Sequence, residues 1–463
     1  MARYLLWGDG AIVFQPGPGT RSGEIVVHVG GEASNGLPFA VRPGGVYFVT
    51  PGGAGDGSFE NPFAPADYVA RLAAGEDGAT AYFRAGTYDG VYGYPHWHAN
   101  FCLGAAHSGE PGRPNAFVAY PGEEVWIRTS EETGADRSNF RIHSDPATYV
   151  VVSKLHLWAR NGAVSAHTGW RVVGNRIEAI HETSVTGAVT TTLYQDATSR
   201  HIAILGNEIL GGSSGNKLDH AIYPGAGTSD LEIAWNYIHD NDFANGPMIS
   251  LNCNDAAAKG LVSRNVRIHS NVIDVRGHPS RAIGVYETAP GSTVYVYNNL
   301  VLGPAPGGNP SVYAASGELH YANNTLVGCG AGNEGACFHF YTFSEAYTPQ
   351  VRTFRNNLVV AGDAASYYLK RSGNAVVDGL DHNLFTGVPS PKATDLYLQD
   401  AQRVEAPPGF VAAAAGDYRL SADSSARDAG AVVGFVAADA AGTPRPQGAA
   451  FDIGAYEYAQ EGP

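Results

Sequence analysis

The chain has 463 residues, with 59 Gly, 27 Pro and 25 Tyr against 2 Met and five Lys (Lys154, Lys217, Lys259, Lys370 and Lys392). That composition suits many short strands joined by tight turns and argues against a helical protein. A hydrophobic share of 44% argues against disorder, and a formal charge of −15 against a general nucleic-acid or anionic-membrane binder. No apolar run approaches the roughly 18 residues of a membrane-spanning helix.

Residues 1–42 alternate apolar and polar side chains (AIVFQ, EIVVHV, LPFAV) and read as a separate strand-rich fragment. The stretch PFAPADYVARLAAGEDG then spaces Tyr68, Val69, Leu72 and Ala73 as one face of a short helix, with Pro62 and Pro65 before it and Gly75 after. The segment AYFRAGTYDG follows as a strand.

From there a short pattern recurs: apolar alternation, then Asn, any residue, and Ile or Leu. It occurs at Asn175, Asn207, Asn236, Asn271, Asn298, Asn324, Asn356 and Asn383. A fixed motif at irregular spacing means rungs of constant strand length with variable loops. Each rung buries little alone, so stacking supplies the core. The recurrent Asn is expected at a bend with left-handed backbone, its amide bonding from rung to rung. A leucine-rich repeat lacks the required L-x-x-L-x-L density here, and a propeller needs about 40 residues per blade. The expected fold is all-β: a right-handed parallel β-helix over residues 43–390, with an N-terminal helical cap and the small N-terminal β-strand fragment. Residues 391–463, with DYRLSADSSARDAG and TPRPQGAAFDIGAYEY, read as a closing segment over the open end. Cys102, Cys253, Cys329 and Cys337 have no metal-binding spacing, though Cys329 and Cys337 could close a small loop.

The opening VYFVTPGGAGDGSFENPF, with the helix and FRAGTY, resembles the pectate-lyase-like superfamily of β-helix proteins. The stretch AAHSGEPGRPNAFVAYPGEEVWIR is similar to early rungs of the chondroitinase B and alginate lyase branch, and RDAG…PRP…FDIGAYEY to the ends of many secreted β-helix proteins. Residues 1–42, through SGEIVVHVGGEASNGLPFAV, resemble the last strands of an immunoglobulin-like IPT/TIG module. The resemblance implies a secreted protein and a polysaccharide partner; the start MARYLLWGDG has too short an apolar run for a signal peptide, so the leader is expected to lie outside this sequence. It also implies a Lys base and an Arg on neighbouring rungs; Lys217 and Arg281 lie 64 residues apart, about two rungs.

Aligning the rungs points to candidate chemistry. Three residues after the Asn the outward column reads Glu178, Leu210, His239, Asp274, Val301 and Val327, so His239 and Asp274 are expected as neighbours. The next strand of each rung aligns KLDHAIYPG, GPMISLNCND, SRAIGVYE, PSVYAAS and ACFHFYTF. With Ile222, Ile249, Ile283 and Phe338 inward, Tyr223, Ser250 and His339 point outward beside a depression at Gly284. The expected catalytic set is Lys217, Asp219, His220, Tyr223, His239 and Arg281, with Tyr286, Glu287, Tyr313 and His339 contacting substrate, all on one outer wall.

A lyase acting by β-elimination on a uronate-containing glycan needs a base (Lys217, His220 or His239), an acid (Tyr223) and a cation such as Arg281 or calcium held by Asp240 and Asp242. A glycoside hydrolase instead needs a carboxyl pair, for which Asp219, Asp240, Asp242 and Glu287 are available. A non-catalytic, adhesin-like carbohydrate binder is the third reading. The residue set favours the lyase, a polysaccharide partner, no nucleic acid, no membrane span and a monomer.

Overall fold

The computed structural model describes the chain apart from residues 1–2, 9–10, 18, 42–43, 94–98, 130–137, 181–186, 192–197, 213–217, 242–245, 253–255, 279, 287, 304–310, 314–316, 331–334, 342–347, 364, 389–391 and 460–463. Each full rung carries three short strands separated by corners. In one rung these are Ser229–Ala234, Tyr237–Asn241 and Pro247–Asn252; in the next they are Val266–His269, Val272–Asp274 and Arg281–Tyr286. Stacking them gives three sheets, here A, B and C in chain order. Among the described residues A has twelve strands in its main run, with a thirteenth, Leu380–Asp381, beside it, B and C have eleven each, and their ladders are parallel. The solenoid is a right-handed parallel β-helix, as the sequence periodicity predicts.

Inward side chains of the three sheets form one continuous core along the axis, including Ile222, Ile249 and Ile283. In the early rungs the core is aromatic, with Phe101 and Phe140 stacked at 4.9 Å and Phe117 edge-on to both. The expected helix spans Pro65–Ala73 and buries Tyr68, Val69 and Leu72; Ala73 is exposed. The strand Val46–Val49 runs ahead of the expected first strand and pairs with Thr80–Phe83. Among the described residues no helix is long and apolar enough to cross a membrane. Among the described residues of 1–42 there are three two-stranded antiparallel pairings, the first between Arg3–Gly8 and Ala11–Gln15.

An asparagine ladder lines the corner between sheets A and B. Asn175, Asn207, Asn236, Asn271, Asn299, Asn324, Asn357 and Asn383 are each at most 2% exposed. Each Nδ2 donates to the Oδ1 of the next, at 2.9–3.1 Å. The last, Asn383, donates to the buried carboxylate of Asp400, an acceptor-only group that suits a ladder ending on a donor. In two rungs the ladder residue is the second Asn of a pair, Asn299 and Asn357, instead of the expected Asn298 and Asn356. The left-handed residue is also not the ladder Asn but the one before it. Gly174, Gly206, Trp235, Ser270, Asn298, Asn323, Asn356 and His382 all have φ between 53° and 64°. The positive φ turns the chain so that the next side chain points inward, which separates the bend from the hydrogen bonding. Asn298 and Asn356 point away and donate to the carbonyls of Ala438 and Ala431 in the closing segment.

That segment therefore packs back along the outside of the late rungs. Val433, Val436 and Phe451 cover Tyr297 and Ala322, and Tyr418 covers Leu300 and Leu302. Cys329 and Cys337 form a disulfide. Cys102 is a buried free thiol, pushed up to about 11 by burial; Cys253 lies outside the described residues.

Candidate functional site

The outer wall of sheet C carries a column set by strand register. Ser250 lies beside Gly284, Gly284 beside Ser311, Ser311 beside His339 and His339 beside Lys370. Ile222 pairs with Ile249, so Tyr223 stands in this column next to Ser250, with Thr190 on its other side. The alternation predicted for Tyr223, Ser250, Gly284 and His339 holds. A second column two residues on runs Tyr286, Tyr313, Tyr341 and Ser372; the side chain of Tyr313 lies outside the described residues. Neighbouring positions in a column are about 4.8 Å apart.

His220 and Arg281 open their strands, and Pro247 between them pairs with Arg281. His220 is almost wholly buried, and its Nδ1 lies 2.8 Å from the Pro247 carbonyl. A carbonyl only accepts, so in the neutral ring Nδ1 carries the proton and Nε2 the lone pair. The imidazole stacks on the ring of half-buried Tyr223, centroids 5.0 Å apart and planes 16° apart. Asp219, directly before His220, is fully buried.

Gly284 leaves no open depression. The Tyr286 ring folds back over it, and a Cβ at Gly284 would run into that ring. His339 is buried, with Nε2 2.9 Å from Ser372 Oγ and its ring 5.5 Å from that of Tyr341. Burial, with the nearby positive charge of Arg281, lowers its pKa from 6.5 to about 4. The folded chain thus resists a proton that the unfolded chain accepts near pH 6.5, so His339 subtracts stability as pH falls from about 6.5 towards 4. His339→Gln is expected to flatten that part of a stability-against-pH curve measured by urea unfolding. An unchanged slope would contradict this assignment.

The sequence reading missed the far end of the wall. Lys370 and Lys392 both lie over the Tyr367 ring, their Nζ atoms 5.5 and 4.7 Å from its centroid. Burial and the adjacent Lys392 charge lower the pKa of the Lys370 ammonium. The available signal was rarity. Of the five lysines, Lys370 lies in a sheet C strand, Lys392 reaches that strand's Tyr367, and Lys259 ends the short helix after the sheet C strand Pro247–Asn252. Lys217 shortly precedes the sheet C strand His220–Tyr223 in sequence but, with Asp242 and Glu287, lies outside the described residues.

His239 does not join this wall. It follows ladder residue Asn236 by three positions and so belongs to sheet B, whereas His220, Tyr223 and Arg281 are on sheet C. Three strands per rung give three outward faces, so the expected single cluster divides into two. His239 Nδ1 lies 2.6 Å from Asp240 and Nε2 3.2 Å from Glu208, leaving neither nitrogen to take a substrate proton. Tyr237 stacks on its ring at 4.1 Å. Asp274 is its rung neighbour, as expected from Ile238 pairing with Ile273, but its carboxylate is gripped by Arg276. Burial would raise the pKa of Asp274, yet the Arg276 hydrogen bonds outweigh it and the group sits low. Glu208 is likewise low, because hydrogen bonds from Arg176 and His239 overcome the effect of burial. Asp240 has a left-handed backbone at a β-bulge, and among the described residues no three His, Cys, Asp or Glu side chains gather as a cation site. Calcium at Asp240 therefore has no described ligand set.

No protein-family model and no curated protein sequence matches the chain. Solved structures do. A rhamnogalacturonan lyase aligns at TM-score 0.41 and 14% identity over 80% of this chain and 91% of that one. XylC in complex with xylose aligns at TM-score 0.43 and 12% identity over 90% and 99%. Pectate lyase Pel9A aligns at TM-score 0.51 and 14% identity, over 90% of this chain and 98% of that one. At that identity the likeness to Pel9A is one of architecture, and it places nearly the whole chain in the right-handed parallel β-helix fold.

Proposed function

We propose that this chain is a carbohydrate-active enzyme that cleaves an anionic, uronate-containing polysaccharide by β-elimination along the outer wall of sheet C. The observation that carries the reading is the stacked His220–Tyr223 pair on a wall that runs on past Arg281 to Lys370 and Lys392. On a body of formal charge −15 this wall supplies local cations for a polyanion. In the proposed reaction Arg281 neutralises the uronate carboxylate, which acidifies the adjacent carbon-bound proton. His220 Nε2 takes that proton, and the Tyr223 hydroxyl protonates the departing glycosidic oxygen as the carbon–oxygen bond breaks. The products are an unsaturated uronate and a new reducing end. Calcium carries no step. The disulfide between Cys329 and Cys337 supports an exported protein, and the fold neighbour Pel9A is a pectate lyase.

The hydrolase alternative fares less well. Of Asp219, Asp240, Asp242 and Glu287, the two with described positions lie apart, Asp219 buried beside sheet C and Asp240 on sheet B. Glu208 and Asp274 sit low in pKa, whereas a general acid must hold its proton.

A polysaccharide panel read at once for unsaturated-uronate absorbance and for reducing ends tests the proposal. Both signals together on a polyuronate are expected. Reducing ends without absorbance mean hydrolysis, and silence on both across polyuronates leaves a binding protein; either outcome overturns the lyase reading.

A further inference from the structure

The corner position before each ladder asparagine requires a positive φ, which Gly and Asn adopt with least strain. Seven of the eight ladder corners have Gly, Ser, Asn or His there; the eighth has Trp235, at φ 54°. Trp235 is also 50% exposed. A large apolar ring held in left-handed backbone and turned half to water serves neither the bend nor the core. Two residues on, Tyr237 is 43% exposed. Asn236 between them is hooked inward into the ladder, so both flanking side chains project outward, side by side on the convex A–B corner. Trp235 is met edge-on by His269 at 5.1 Å, and Tyr237 is stacked on His239. Farther along sheet A the aromatic stripe continues through Tyr297, where Phe435 of the closing segment covers it.

We propose that Trp235 and Tyr237 form a platform that binds a neutral polysaccharide chain, separate from the wall of sheet C. Paired exposed rings suit the carbon–hydrogen faces of successive sugar rings. The polar fringe selects charge. Glu208, Asp240 and Asp274 on sheet B outnumber Arg176 and Arg276, and carboxylates accept sugar hydroxyls but repel uronates. The two faces thus divide the labour, one holding neutral glycan and the other receiving the anionic chain.

Affinity electrophoresis of the full chain in gels containing a neutral β-glucan, xylan or galactan, with polygalacturonate as the anionic comparison, tests this without turnover. Success or failure is therefore independent of the proposed cleavage. Retardation in at least one neutral gel is expected, weakened at least tenfold in Trp235→Asn and in Tyr237→Ala. Asn occupies the equivalent corner in three other rungs, so Trp235→Asn keeps the fold, checked by circular dichroism, and keeps the activity on anionic substrate. No retardation in any neutral gel, retardation by polygalacturonate alone, or wild-type binding by Trp235→Asn would overturn the proposal. So would a concentration-dependent dimer abolished by Trp235→Asn, which would make a second copy of this chain the occupant.

Discussion

His220→Ala should lower turnover on a polyuronate by about 10²-fold or more, and Tyr223→Phe by a similar factor, while His239→Ala stays near wild type. The contrast follows from the nitrogen partners. At His220 the Nδ1 proton goes to a carbonyl, which makes Nε2 the basic nitrogen of the neutral ring, whereas at His239 both nitrogens face carboxylate oxygens. A merely structural His220 would also affect activity by loosening the Pro247 contact, so the pH profile is the deciding measurement. If His220 is the base, the acidic limb of kcat/KM reports its protonation, and His220→Gln removes that limb as well as the rate. A His220→Gln enzyme with wild-type turnover, or a loss confined to His239→Ala, would move the chemistry to sheet B.

Glu457→Ala is expected to cost about 3–5 kcal/mol in urea unfolding, the usual penalty for stranding one member of a buried ion pair. Arg445 and Glu457 meet at 2.6 Å with both side chains wholly inaccessible. Arg445 also donates to the carbonyls of Asp452 and Gly454 and to Asn298 Oδ1. The pair therefore pins the closing segment to the rung that carries Asn298. Burial pushes the guanidinium pKa down and the Glu457 carboxyl up, so each depends on the other to remain charged. Replacing both, as Arg445→Met with Glu457→Leu, should recover part of the loss by removing the stranded charge, but not all, because three oxygen acceptors lose their donor. A single-variant cost below about 1 kcal/mol would show that other contacts hold the segment.

The solenoid was legible because its cause is local and repeated. Each rung needs an inward amide at one corner, and that requirement prints Asn along the chain whatever the loops between. Strand parity was legible for the same reason, and it put Ser250, Gly284 and His339 on one column before any coordinates. Two other features were not legible. Which Asn of a pair enters the ladder depends on which residue takes the positive φ, and Asn tolerates both positions, so Asn298 and Asn299 cannot be told apart by type. Whether two outward residues share a wall depends on how many strands a rung has and how sharply the chain turns between them. His239 and Tyr223 both alternate outward, yet the corner between sheets B and C turns their faces in different directions. The same holds for Lys370 and Lys392, whose meeting over Tyr367 depends on the chain after sheet B's last strand returning to sheet C. Periodicity along the chain thus determined the fold and which side chains point out; the angle between faces, a property of the closed coil, decided which of them meet.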